Sequence, residues 1–530
     1  MNRATTSKPF RRRLSSALDA FGGAIATRFA IDRRGLAAFR MGLGALLLLD
    51  LALRSRHLRA FYTDDGVLPR RALFSDYTDA YSVHALSGEP WAIALLFLIA
   101  GAFALALLVG YRTRLATVAS WLLLLSLQAR NPMVLNGGDS LFALLLFWSI
   151  FLPLGARWSV DAIRKGSASA DGDTSISSIA TMALLLQVVL MYVTNAIHKT
   201  RSELWMDGEA VAYIMQADQF SAFLGNHLAD FTGLLQAMSV VWVGLLLAAP
   251  LLIVLTGWPR ALLATLFVGM HLGMAASMQL GIFPVVVVTG LLPFYQSGVW
   301  NRVSAVTTWT GIGPTLERWG DRFHRTTPTL PSLPAYSHLR ASSADTRLPD
   351  SADLQAGISH GRTLFSTVLP WFFLVLVVLS NAQAVDYTEV PDPAEEVLDT
   401  AELDQSWQMF APDPLYTTSW YAVPGELEDG TTVDVLYDRA VSLDRPPNVD
   451  ETYPSARWRK YLGNVYGADN ENHRSYLANY LCESWNRSHE TDVETIEIER
   501  LYERTNPFTG PEASGDITLI EYDCGGEFIQ

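Results

Sequence analysis

Residues 181–208 read TMALLLQVVLMYVTNAIHKTRSELWMDG. The run TMALLLQVVLMYV, 181–193, is almost wholly apolar, and the stretch then stops on His198 and Lys199. A helix that is apolar all round is either buried in a large core or crosses a membrane. Crossing takes about 20 apolar residues, within a range of roughly 17–25. The run that begins at residue 179 meets that length, and comparable runs recur along the chain. The segments 36–53, 91–110, 115–130, 139–155, 179–198, 232–256, 260–279, 282–297 and 364–382 are the expected spans, nine in all. The expected fold is therefore a polytopic α-helical membrane protein that carries a C-terminal extracytoplasmic α+β domain.

Charge gives the orientation. Lys and Arg concentrate in cytoplasmic loops. With the N-terminus inside, 21 basic residues fall in the inner loops and 8 in the outer ones, although Arg54, Arg56 and Arg59 run against the rule. An odd number of spans then places the C-terminus outside. From Asn381 onward there are 31 acidic and 9 basic residues, a net charge of −22, whereas the preceding body carries +8. Such an acidic tail excludes nucleic acid as a partner, because phosphates would be repelled. The N-terminal stretch has Arg11, Arg12 and Arg13 but no clean apolar core, since Asp19 and Arg28 interrupt it. It reads as an amphipathic helix on the inner membrane surface and not as a cleaved signal peptide.

The expected organisation is a basic cytoplasmic N-terminus over 1–35, a membrane domain of eight helices over 36–297, a cytoplasmic linker rich in Ser, Thr, Pro and Arg over 298–363, a ninth span over 364–382, and an acidic extracytoplasmic domain over 383–530. In that last domain TTSWYAVPGELEDGTTVDVLY predicts a hairpin closing at Glu428-Asp429-Gly430. VETIEIERLYE and DITLIEY predict two further strands, and residues 456–486 have helical spacing broken near Gly467. The two cysteines, Cys482 and Cys524, both lie here, and an oxidising compartment favours a disulfide between them; two buried free thiols are the alternative. Asn486-Arg487-Ser488 fits the N-glycosylation triplet. No motif for a metal, nucleotide or flavin stands out.

Several polar groups collect at the expected outer ends of the helices. Asn131, Asn136 and Asp139 fall in the turn NPMVLNGGDS, His198 and Lys199 end the fifth span, Trp205 follows, and His271 and Gln279 lie in HLGMAASMQL. Ionisable groups at membrane depth are costly and mark function. Each also has a structural reading. Lys199 can snorkel into headgroups, Asp139 can be an N-cap, and His271 can bond between helices. The chemical reading is that an amine in a dry, apolar site loses its proton more readily than in water and becomes a general base. His271 would stabilise an oxygen anion formed on a hydrophobic substrate. Arg40 and Asp50, ten residues apart on one helix, are expected to pair with other helices and not with each other.

Three blocks then show a resemblance. GYRTRLATVASWLLLLSLQARNPMVLNGGDSLFALLLF, NAIHKTRSELWMDG and HLGMAASMQLGIFPVVVVTGLLPFY occur in the order found in the vitamin K-dependent gamma-carboxylases, and resemble more closely the prokaryotic horizontally transferred transmembrane domain (HTTM) family over about residues 30–300. DQSWQMFAPDP, 404–414, resembles a segment that follows this domain in prokaryotic members. The resemblance implies that Lys199 matches the base that deprotonates vitamin K hydroquinone, and that His271 matches an intramembrane histidine of that site. In the carboxylases, oxygenation of the quinol then drives CO2 addition to a glutamate. His198 replaces the first lysine of the carboxylase pair, and Gly138 stands near the place of a family histidine.

The expected function is a carboxylase-like enzyme, a quinol epoxidase or carbon–carbon lyase, in the cell membrane. Lys199, His198 and His271 are its catalytic candidates, and Asn136, Asp139, Trp205 and Gln279 its substrate-binding candidates. Its cofactor would be reduced menaquinone or a vitamin K-like quinol. Its partners would be the lipid bilayer, the quinol and an extracellular protein or peptide. The alternative is a non-catalytic scaffold or lipid-binding module that presents the acidic domain to a partner, with Trp407, Met409 and Phe410 as packing or docking residues.

Overall fold

A computed structural model describes residues 7–526 apart from 79–80, 166–173, 311–360 and 362. Most of the expected linker therefore lies outside the described residues. An N-terminal helix, α1 (Ser7–Phe29), precedes α2 (Arg33–Ser55), α3 (Pro90–Val109), α4 (Thr113–Arg130), α5 (Gly137–Ser149), α6 (Ile179–Lys199), α7 (Thr232–Ala248), α8 (Gly257–Ser277), α9 (Phe283–Leu291), α10 (Ser297–Trp309) and α11 (Leu369–Ala384).

Five helices are long and apolar enough to cross a membrane: α2, α3, α6, α8, and α11 together with the turn that precedes it from Leu364. A sixth is added if the pair Phe283–Phe294 and Ser297–Trp309, bent by 104°, counts as one broken span. The other expected spans take different forms. Residues 139–155 form only the short helix α5, followed by a turn at Pro153. The run 232–256 breaks at Pro250 between α7 and the short helix Leu251–Val254. Proline lacks the amide hydrogen that an unbroken helix would use at such a point. Helix α4 carries Arg114, Gln128 and Arg130 and is not among the five.

Helix α6 is the central element of the bundle. Of its spanning window 72% is buried, against 28% for the peripheral α3. Its start is fixed by a capping box between Ser178 and Thr181, a reciprocal arrangement that satisfies two orphan backbone donors. Phe142, Trp148, Tyr192 and Phe267 belong to the buried core around it. Leu98 and Leu105 of α3 are exposed, as lipid-facing side chains of an outer helix would be.

The C-terminal region forms five strands and two main helices. β1 (Thr417–Ala422), β2 (Pro424–Leu427) and β3 (Thr432–Asp434) are followed by α12 (Ala456–Gly467) and α13 (Asn472–Ser488), then by β4 (Val493–Asn506) and β5 (Gly510–Asp523). The expected hairpin is β2 with β3, and Gly430 takes the positive φ of +80° that its turn requires. Long β4 pairs antiparallel with β1 and β2 and also with β5. Cys482 and Cys524 form the disulfide, tying α13 to the end of β5.

This region packs onto the bundle. Phe61 and Trp458 meet with ring centroids 4.8 Å apart inside one shared hydrophobic cluster. Beside them lies a closed set of buried charges. Arg54 bonds Asp50 at 2.7 Å and Asp139 at 2.6 Å, while Arg457 of α12 bonds the same two carboxylates at 2.7 and 3.0 Å. Arg54 thus joins α2 to α5, and Arg457 ties α12 to the same two carboxylates, which accounts for the departure of Arg54 from the loop-charge rule. Arg40 bonds to another helix, as expected, but among the described residues it has no carboxylate within ion-pair distance. It donates to the carbonyls of Leu107, in the last turn of α3, and of Trp158, in a loop.

Candidate functional site

The end of α6 is covered by the segment 404–414. This strand of chain has no regular structure of its own, so its carbonyls need donors, and α6 supplies them. Asn195 Nδ2 donates to the carbonyls of Trp407 at 2.8 Å and Met409 at 3.3 Å. His198 Nε2 lies 3.0 Å from the carbonyl of Ser406. Lys199 Nζ donates to the carbonyls of Met409 at 2.8 Å and Phe410 at 3.0 Å, and Trp205 Nε1 donates to the same Phe410 carbonyl at 2.9 Å. Deeper in the bundle Gln187 Nε2 donates to Gln405 Oε1 at 2.6 Å, and Trp407 Nε1 to the same oxygen at 3.0 Å.

Lys199 is therefore not a headgroup anchor. Its side chain is buried, with Nζ 3.7 Å from the centroid of the Trp205 ring. Ion pairing does not hold it there: among the described residues no carboxylate lies within 4.0 Å of Nζ. The snorkelling reading fails because the segment 404–414 shuts this end of the helix off from the surface.

Lys199 and Trp205 line a cavity of about 1090 Å³ between the bundle and the C-terminal sheet. Asn136 lines it too, and its side chain is the N-cap of α5, accepting from Gly138 N at 2.7 Å. Asp139, expected as that cap, is instead the third residue of the helix. It accepts from Asn136 N at 2.9 Å and is otherwise committed to Arg54 and Arg457, off the cavity wall. His271 is not on the wall either. Its Nδ1 is 2.8 Å from the Phe267 carbonyl one turn back, a bond within its own helix and not between helices. The ring packs against Trp242 and Phe283, which do line the cavity. Gln279 sits beside the wall, where its carbonyl accepts from Arg459 at 2.7 Å.

The structure thus brings Lys199, Trp205 and Asn136 onto one surface and sets His198, His271, Asp139 and Gln279 behind it. Two sets of lining residues are additional to the sequence reading. Met270, Met274 and Ser277 of α8 line the cavity; their i, i+4, i+7 spacing was available as a helical face. Arg459, Lys460, Arg500 and Arg504 come from the C-terminal region, and only tertiary folding puts them opposite α6.

The family model of the HTTM domain, a domain related to the membrane domain of vitamin K-dependent carboxylases, matches residues 29–300. No curated protein and no solved structure matches the chain. With its apolar helices and a domain match over half its length, this multi-pass membrane protein belongs to the HTTM domain family.

Proposed function

We propose that the chain is a carboxylase-like membrane enzyme that uses Lys199 as a general base toward a lipid-soluble quinol. The observation that carries this reading is the setting of Nζ. A neutral amine has two hydrogens and one lone pair. The carbonyls of Met409 and Phe410 accept two hydrogens, and among the described residues no carboxylate competes for the group. The lone pair is left for a hydroxyl in the cavity that Lys199 lines. Trp205 and the methionines offer flat and adaptable apolar surface to a ring.

A reduced menaquinone or vitamin K-like quinol would supply the oxidisable ring. The chain's own work is to hold it against Trp205 and Trp242, exclude water and take its hydroxyl proton onto Lys199 Nζ. Asn136 offers an amide to a polar substituent. His198 positions the segment 404–414 through Ser406, and His271 supports Trp242 and Phe283 from behind. The topology of this proposal has nine spans, a cytoplasmic N-terminus and linker, and the acidic region at the outer face; the loop distribution of Lys and Arg supports it. Coupling to carboxylation of a glutamate on an extracellular protein or peptide is the further step that the family relationship supports.

One observation favours a second reading. The two hydrogen bonds from Lys199 also clamp the segment 404–414. In a non-catalytic scaffold that clamp would be the whole role of Lys199, and the acidic domain would be the business end. The test is to incubate the purified chain with menaquinone, wash it, and extract and identify retained quinone by mass spectrometry. Wild type should retain quinone and Met274→Trp, which fills the apolar end, should not. Absence of retained quinone from wild type would move the reading to the scaffold.

A further inference from the structure

On the sheet side of the cavity, Thr417, Ser419 and Tyr421 of β1 stand opposite Arg504, Tyr502 and Arg500 of β4. Alternate residues of a strand share one face, and all six of these line the cavity. Helix α12 adds Arg459 and Lys460. Four of the nine basic residues of this acidic region therefore face one space. Among the described residues, none of the four has a carboxylate within ion-pair distance, whereas Arg445, Arg457, Arg474 and Arg487 all do. Asp404 is the one carboxylate on the described wall, and its Oδ1 accepts from Ser380.

Arg459 and Arg500 are held in place by groups other than anions. Arg459 donates to the Gln279 carbonyl at 2.7 Å and lies 3.9 Å from the centroid of the Phe220 ring, while its Nε is buried without a hydrogen-bond partner. Arg500 lies 3.9 Å from the centroid of the Tyr466 ring. Burial pushes Arg459 down to about 10, and burial together with neighbouring Arg459 lowers Lys460. Among the described residues, neither of these two neighbours has a carboxylate within ion-pair distance.

The opposite part of the wall is apolar. Met238, Met270, Met274 and Trp242 line it. Phe220, also on the wall, is followed three residues later by Phe223, which is 85% exposed, and by exposed Leu224. An exposed apolar rim next to an amphipathic cavity suits a ligand that arrives from a membrane.

We propose that the cationic face formed by Arg459, Lys460, Arg500 and Arg504 binds the phosphate headgroup of an amphipathic lipid whose chain enters the methionine-lined part of the cavity. A phosphate fits better than a carboxylate because it offers more charge and three acceptor oxygens to several arginines. The lipid and the proposed quinol would compete for the apolar part. The headgroup site itself does not rest on Lys199 acting as a base, so it stands if quinol turnover fails.

The test uses the full chain in a nonionic detergent and three probes: dioleoyl phosphatidic acid, dioleoylglycerol with the same chains but no phosphate, and inorganic phosphate. Native mass spectrometry reads the dissociation constants. Wild type should bind phosphatidic acid about tenfold or more tighter than dioleoylglycerol. The double variant Arg500→Gln/Arg504→Gln should lose most of that preference. Equal affinity of wild type for the two lipids would overturn the proposal, and that comparison needs no variant to fold. A correctly folded double variant that keeps the full preference would overturn it as well. Inorganic phosphate binding as tightly as phosphatidic acid would assign the face to a free anion and overturn the lipid assignment.

Discussion

Asp139 shows how far one side chain can stand from its local reading. The turn NGGDS makes it a plausible cap, and it does contribute to the capping box of α5 through Asn136 N. Its larger role is to share two buried arginines with Asp50. Two carboxylates and two guanidinium groups balance, so removing one charge strands another. Asp139→Asn should therefore destabilise the protein by about 3–5 kcal/mol. Thermal unfolding in detergent would read this, and an unchanged melting temperature would contradict the coupling. His84 gives a second prediction. It is fully buried, with Nδ1 2.8 Å from Ser126 Oγ. Burial, aided by Arg54 and Arg130, pushes its pKa down to about 4 from 6.5. Between those values the unfolded chain binds the additional proton. Its contribution is thus full above about pH 6.5 and is lost as the pH falls toward 4. His84→Gln should flatten that part of the stability profile, and an unaltered slope would count against the assignment.

At the scale of elements, legibility followed periodicity. Helices α2, α3, α6, α8 and α11 could be read because each is a long apolar run, and α6 ends at Lys199 as its polar stop implies. The breaks at Pro153 and Pro250 were visible as residues, yet their outcome depended on packing: a bundle tolerates a proline when neighbours satisfy the freed carbonyls. The segment 404–414 was singled out in the sequence, but its place against α6 was not legible, because its contacts with Asn195, His198 and Lys199 are more than 200 residues distant in sequence. The cysteines were legible as a pair. Their bond joins elements 42 residues apart in sequence, so Cys482→Ser should cost about 2–5 kcal/mol. Comparing unfolding with and without reductant checks this; equal stability would show that α13 and β5 hold without the bridge.

Across the whole molecule, the acidic C-terminal region does not hang from the membrane domain as a separate appendage. Its Trp458 packs on Phe61, its Arg457 completes the charge set of α2 and α5, and its sheet closes the cavity that Lys199 lines. A site divided between a helical bundle and a distant sheet leaves little local signature, which is why Lys199 was legible and the arginines facing it were not. The same division places an apolar surface and Lys199 on one side of the space, and the side chains of Arg459, Lys460, Arg500 and Arg504 on the other. The central claim is that Lys199 takes a proton from a quinol in this cavity. The most direct measurement supplies reduced menaquinone and oxygen to the purified chain in lipid and follows epoxide formation in wild type and Lys199→Ala. The account predicts epoxide from wild type and loss of at least about a hundredfold in the variant, with the fold retained. Epoxide formed equally by both, or by neither, would contradict it.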